Sequence, residues 1–306
     1  MTAATSAPKP RKRNPLGLLL ETADKMDDHA ASTQSAALAF YSVFSIAPVL
    51  VVVIAIAGAA FGADTVRGEI VRQFGDLMGP GAAAAIETLL VAAAKREGSG
   101  IANALGIATL LLGTTAVFVQ LQEALNRIWD VAPRPGSMIG SLLRKRFVSL
   151  TLVMGIGFLL LVSLALSAAI SAAQGYLTQR LPLPLAIVSA ANNVLGFLVV
   201  ALVIALIYRV LPDAKVEWSD VALGSVMTSA LISLGKWLIG FYLGRTSVVT
   251  PYGAAGSFVL ILLWVYYVSW ILLFGAELTR AHARIYRSAR IEPEPGAMKV
   301  VTPKAP

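Results

Sequence analysis

AAGSFVLILLWVYYVSWILLFGA, residues 254–276, carries no charged side chain from end to end. At about 1.5 Å per residue, a helix of this run crosses the roughly 30 Å hydrocarbon core of a bilayer. Five further runs of the same kind lie at about residues 36–60, 101–120, 146–173, 186–208 and 221–243. Hydrocarbon offers a bare backbone no hydrogen-bond partner, so each run is expected to be helical. A mean hydropathy of +0.74 is too apolar for a soluble domain of this length. The fold class read from the sequence is therefore all-α: a polytopic membrane protein with a six-helix transmembrane bundle and amphipathic helices at both surfaces.

The distribution of charge gives the topology. Of the 25 Lys and Arg residues, 18 fall in the N-terminal tail, the second and fourth loops and the C-terminal tail. Six fall in the alternate loops, and Lys236 lies inside the fifth run. The positive-inside rule then places both termini in the cytoplasm, as an even number of spans also requires. The net charge of +8 is accounted for by topology and by anionic lipid at the cytoplasmic face, not by a nucleic-acid partner. The first run is too long for the apolar core of a signal peptide and is expected to remain as an anchor. With no cysteine, disulfides and thiolate metal sites are excluded.

Between the runs the sequence is organised by helical periodicity. Residues 1–15 are basic and Ala/Pro-rich, and 286–306 hold Pro293, Pro295, Gly296 and Pro303; both tails are expected to be disordered. The domain proper is 16–285. Leu16, Leu19, Leu20, Ala23 and Met26 recur at helical spacing among acidic residues, which predicts a short amphipathic helix at the inner surface. Val66, Ile70, Val71, Phe74 and Leu77 form one stripe, and Ile86, Leu89, Leu90 and Ala93 a second, divided by Gly79–Pro80–Gly81. These predict two helices folded over the outer face as a cap, about 64–97. Pro48 is expected to kink the first span. Ser219 or Asp220 is the expected N-cap of the fifth span.

Polar residues inside the apolar runs supply the candidate site. Lys236 shares a helical face with Ser225, Ser229, Ser233, Gly240 and Gly244, a face small enough for close helix approach. Lys236, Ser229, Ser233 and Gly240 are thus the candidate pathway or ligand-facing residues; the alternative is a lysine that snorkels outward. A second group, Gln120, Glu123, Asn126, Arg127, Arg209, Glu277 and Arg280, falls near one level at the inner helix ends. It reads either as a salt-bridge layer or as an inner gate.

Catalytic patterns are absent. His29 and His282 are the only histidines, and no HExxH, GxSxG, Walker or dinucleotide-binding signature occurs. No catalytic residue, metal ligand or cofactor is assigned, and the chain is read as a non-enzyme. It encodes no nucleotide-binding domain, so transport would be passive, ion-coupled or powered by a partner.

Several stretches resemble one family. AALAFYSVFSIAPVL at 36–50 is similar to the first span of the YihY/BrkB family of bacterial inner-membrane proteins, and so is TTAVFVQLQEALNRIWDV at 114–131. The C-terminal third resembles it most: ALIYRVLPDAKVEWSDVALGS at 205–225, then YGAAGSFVLILLWVYYVSWILLFGAELTRAH at 252–282. The resemblance implies a six-helix inner-membrane protein across about 15–285 and supplies no activity. Members have carried a ribonuclease label, which nothing in these residues supports. Three functions are carried forward: a transporter or lipid- or solute-handling protein acting on a small molecule or lipid; a structural or interaction protein; and a membrane-embedded enzyme. Oligomeric state is not legible.

The topology is open to direct test. Reporter fusions after residues 95, 135 and 300 are expected to read outside, inside and inside, and an outside signal at 300 overturns the six-span arrangement.

Overall fold

The computed structural model describes residues 15–78, 80–94, 116–133, 185–245, 254–286, 292–294 and 297–300. The expected span at 146–173 and most of that at 101–120 lie outside these residues, as does the N-terminal tail to residue 14.

Helix α1 (Pro15–Asp28) buries Leu18, Thr22 and Met26 and exposes Asp24, Asp27 and Asp28, one face apolar and the other solvated. The expected helix forms, but of its expected stripe Leu19, Leu20 and Ala23 are exposed and Met26 is buried, so the face that packs is Leu18–Thr22–Met26. Ala30, at φ 51, turns the chain into α2 (Ala31–Phe61). Gly62 ends α2 and leads into α3 (Ala63–Met78) and α4 (Pro80–Ala94). These two helices occupy the segment read as a cap, with the break at the anticipated place because proline fits the first helical turn and not the interior. Val66, Ile86 and Leu90 are buried as the stripes require, while Leu89 is exposed. On α3, Arg72 Nε donates to Glu69 at 2.8 Å and holds that carboxyl below the usual carboxylate range.

Helix α5 is described over 116–128 and is followed by a short strand, β1 (Val131–Pro133). Then come α6 (Leu185–Val210), α7 (Trp218–Arg245) and α8 (Ala254–Tyr286). Among the described residues, three stretches are long and apolar enough to cross a membrane: Asn193–Val210 in α6, Trp218–Leu238 in α7 and Ile261–Ile285 in α8. α7 begins at Trp218, so neither Ser219 nor Asp220 caps it. Asp220 instead sits in the first turn, where a carboxylate complements the helix dipole.

Packing is organised along α8. Near its start Ile261 and Trp264 join Leu50 of α2 and Ile86 and Leu90 of α4 in one apolar cluster. Near its end Leu273 and Ala276 join a larger cluster with Leu38, Leu125, Trp129, Ile204, Tyr208, Leu211 and Val221. Leu278 and Ala281 receive Leu18 of α1. In lipid the association of α7 with α8 relies on close contact, since lipid tails are as apolar as leucine. Two Gly-x-x-x-Thr pairs provide it. A Cβ on Gly224 would lie 1.9 Å from Thr279 Oγ1, and one on Gly275 would lie 1.8 Å from Thr228 Oγ1. Each glycine thus receives the threonine of the opposite helix. Three turns along, a Cβ on Gly235 would meet the Tyr267 ring at 2.3 Å.

The C-terminal tail departs from the expectation of disorder over 286–306. β2 (Ala297–Lys299) pairs antiparallel with β1, Ala132 opposite Met298. Pro293 bridges to Ala214, with Lys215 N–H donating to Glu292 O at 3.0 Å and Glu294 N–H to Asp213 O at 2.9 Å. The prolines that suggested disorder leave enough amides and carbonyls free to satisfy a loop that would otherwise lack partners.

The glycine clasp makes a prediction. Gly224→Ala places a methyl against the Gly275 carbonyl, at 2.5 Å from its ideal position, where no rotamer change gives relief. A loss of about 1–3 kcal/mol is expected, read as a lowered Tm in detergent. An unchanged Tm would mean that the two helices do not meet there.

Candidate functional site

Beyond the apolar part of α8, three parts of the chain bring ionisable side chains together, with His29, Glu277 and Arg280 buried and Asp130 half-buried. α8 contributes Glu277, 1% exposed, and Arg280, one turn further on. The turn between α1 and α2 contributes His29, and the residue before β1 contributes Asp130. His29 Nδ1 contacts Glu277 Oε1, and Arg280 Nη2 donates to Asp130 Oδ2. Arg280 Nη1 lies 3.3 Å from His29 Nε2, which is itself 3.9 Å from Asp130 Oδ1. A guanidinium only donates, so Nε2 accepts and the ring proton sits on Nδ1, facing Glu277.

Both flanking backbones are bent into the left-handed region without glycine: Ala30 at φ 51 and Asp130 at φ 52. These turns aim His29 and the Asp130 carboxylate at α8. Arg280 Nε and the neighbouring Trp129 Nε1 are buried with no hydrogen-bond partner among the described residues.

A second polar knot lies beside it. Asn126 of α5 donates to the Asp213 carboxylate at 2.8 Å and accepts from the Asp213 backbone N–H at 2.8 Å. Gln122 Nε2 reaches the Leu211 carbonyl at 3.1 Å, and Gln120 donates to Gln34 of α2 at 2.7 Å. The α6–α7 loop is thereby pinned to α5. Arg209 donates to the Val216 carbonyl at 2.9 Å and lies over the Trp218 ring, so it pairs with no carboxylate among these contacts. Tyr208 donates to the Leu272 carbonyl at 2.5 Å and contacts Thr228 at 2.9 Å, joining the knot to the glycine clasp.

Of the seven residues expected in an inner layer, Gln120, Asn126, Arg209, Glu277 and Arg280 make these contacts. Glu123 and Arg127 do not: both are exposed, on the face of α5 turned from the knot. His29, Asp130 and Asp213 complete the networks and were not assigned from sequence. Only the rarity of histidine marked His29 as unusual.

The Lys236 face is corrected as well. Lys236 is exposed, between Gly235, which packs on Tyr267, and Trp237, which is 62% exposed. α7 turns its Gly224–Thr228–Gly235 stripe toward α8, and one residue along a helix is about 100° around it. Ser233 is exposed and donates to the Ser229 carbonyl at 2.8 Å. Ser229 is buried with its hydroxyl unpartnered among the described residues. Gly240 belongs to the same helix. Among the described residues no group of His, Asp and Glu is arranged to hold a metal ion.

Comparison with known proteins places the chain among bacterial membrane proteins. A family model described as virulence factor BrkB matches residues 22–300. A UPF0761 membrane protein of Verminephrobacter eiseniae is 31% identical over 259 residues, 82% of this chain and 58% of the relative. One of Alcanivorax borkumensis is 28% identical over 261 residues, 84% of this chain and 58% of the relative. One of Albidiferax ferrireducens is 35% identical over 175 residues, 56% of this chain and 39% of the relative. The chain therefore spans little more than half the length of curated relatives it matches. No solved structure matches.

The knot predicts a measurable cost. Asn126→Ala removes both bonds to Asp213 and is expected to lower stability by about 1–3 kcal/mol. Glu123→Ala on the exposed face should stay within about 0.5 kcal/mol of the parent. Equal melting temperatures for the two variants would contradict the assignment.

Proposed function

This chain belongs to the virulence factor BrkB family of membrane proteins, and from that premise we propose that it moves a small solute or a lipid across the bacterial inner membrane. In this reading it spans the membrane six times with both termini in the cytoplasm, and residues 61–100 form an outer cap. It performs no covalent chemistry. Its surroundings are membrane lipids, anionic at the cytoplasmic face. The observation that carries the reading is the buried His29–Glu277–Arg280–Asp130 cluster. Ionisable groups inside a membrane bundle are expensive to bury, and they line transport and proton pathways far more often than lipid-facing surfaces. A buried ion set is weak as a source of stability, so its presence supports a use. Position adds to this, because the cluster closes the inner end where α1, α5 and α8 meet.

One observation favours the alternative, a structural or interaction protein. The Gly224–Thr279 and Gly275–Thr228 contacts leave no space between α7 and α8 at that level. Any pathway in the transport reading therefore runs on another side of α8.

Purified protein in vesicles of phosphatidylethanolamine and phosphatidylglycerol decides between them. The lipid arm follows dithionite access to fluorescent phosphatidylglycerol, and the solute arm follows an entrapped pH dye under an imposed organic-anion gradient. Activity in either arm is expected, reduced tenfold or more in Glu277→Gln, about 1.4 kcal/mol or more. A folded protein inert in both arms would leave the structural reading.

A further inference from the structure

The turn between α6 and α7 presents a cation at a membrane boundary without a carboxylate partner. The apolar stretch Asn193–Val210 ends one residue past Arg209, and Trp218 opens the stretch Trp218–Leu238. Both residues therefore stand where spanning helices leave hydrocarbon, on one surface, at the depth where tryptophan and arginine meet headgroups. Arg209 Nη1 donates to the Val216 carbonyl at 2.9 Å, and Arg209 Cζ lies 4.6 Å from the centre of the Trp218 ring. These contacts fix the plane of the guanidinium and use one of its five N–H donors. Arg209 pairs with no carboxylate among the described residues: Asp213 is held by Asn126, and Asp220 faces His282 at 3.5 Å. The other cation of the turn, Lys215, is paired with Glu292 at 3.1 Å.

Two exposed apolar stripes run from this pair into the bilayer. On α6, Leu198 and Leu202 are exposed, and their spacing keeps them on the face of Arg209. Leu198 lies about 16 Å from Arg209 along the axis, close to the depth of one leaflet. On α7, Trp218, Ala222 and Val226 recur at every fourth residue, all exposed. The two helices pack side by side, and the stacked Arg209 and Trp218 join their stripes at one end.

We propose that this surface binds an anionic phospholipid, with its phosphate on the remaining donors of Arg209 beside the Trp218 ring and its acyl chains along the stripes of α6 and α7.

Charge complementarity selects the headgroup. Phosphatidylcholine and phosphatidylethanolamine carry a cation of their own beside the phosphate. Phosphatidylglycerol does not, so its full charge is left to Arg209. A planar guanidinium already stacked on an indole loses little freedom when it meets a phosphate, whose oxygens match its fork. The lipid is held at the turn, not carried across, so the site stands apart from the transport reading. Occupancy braces the α6–α7 turn from the lipid side, while Asn126 ties the same turn to α5 through Asp213.

Native mass spectrometry of the full chain in detergent counts bound phosphatidylglycerol and phosphatidylcholine directly. The first phosphatidylglycerol is expected to bind about fivefold tighter than phosphatidylcholine, ~1 kcal/mol, the worth of one basic residue at an anionic surface. Arg209→Gln should abolish the preference. Arg127→Gln, which removes the same charge from an exposed position on α5, should keep it. No preference in the parent, the result if another part of the chain covers the stripes, overturns the site. Equal losses in the two variants overturn it too, since they reduce the effect to general surface charge. Excess ammonium phosphate should leave the lipid bound; displacement would mean a site for aqueous phosphate and would overturn the lipid assignment. If Arg209→Gln does not fold, Trp218→Leu decides. It keeps the charge and removes the platform that holds it, so the preference should fall toward unity while the exposed Trp237→Leu keeps it. An undiminished preference in Trp218→Leu overturns the proposal.

Discussion

The structure depends on how closely α7 and α8 approach at Gly224 and Gly275. Two helices meeting through leucines stand 8–10 Å apart, and in lipid they gain little from that contact. Here the glycines bring backbone against threonine hydroxyls, and Thr228 and Thr279 keep their own i−4 carbonyls at 2.7 and 2.8 Å. No hydroxyl is stranded by the approach. The clasp fixes the rotation of α8 about its axis, and that rotation sets the direction of Glu277 and Arg280. A substitution that rotated α8 by one residue would swing both side chains by about 100°, away from His29 and Asp130.

The ion cluster costs free energy rather than supplying it. An ionised side chain out of water loses several kcal/mol of solvation, which a good partner only offsets. What the cluster provides is placement, tying the α1–α2 turn and the end of α5 to one turn of α8. Asn126 and Gln122 do the same for the α6–α7 loop with neutral donors on Asp213 and a carbonyl. The described polar side chains buried here thus divide into a neutral knot that holds a loop and a charged one that joins two turns to α8.

Much of the architecture was legible because it is periodic. The 3.6-residue stripes gave α1, α3 and α4 together with the break near Pro80, and uncharged length gave α6, α7 and α8. What periodicity cannot give is the partner. On α7, Ser225 and Ser229 are buried beside the Gly224–Thr228–Gly235 stripe that meets Thr279 and Tyr267, while Ser233 and Lys236 further along are exposed. Glu277 and Arg280 stood out as charges at the end of an apolar run, but His29 is 248 positions from Glu277 and carries no spacing signal linking the two. β2 was missed for a related reason. Three-residue strands have no pattern to detect, and proline content argued the wrong way.

The two left-handed residues join these observations. An L-residue in that region costs about 1–2 kcal/mol, less for aspartate than for alanine. Such strain persists only where surrounding contacts over-determine the backbone. At Ala30 they do: Ala30 N–H is held by Asp27 O at 2.9 Å, Ala31 is buried in the inner apolar cluster, and His29 is engaged by Glu277 and Arg280. At Asp130 the contacts include Arg280 on its side chain and Val300 on its carbonyl. Both strained turns are thus fixed by contacts that converge on α8, so the cluster and the two turns hold one another in place.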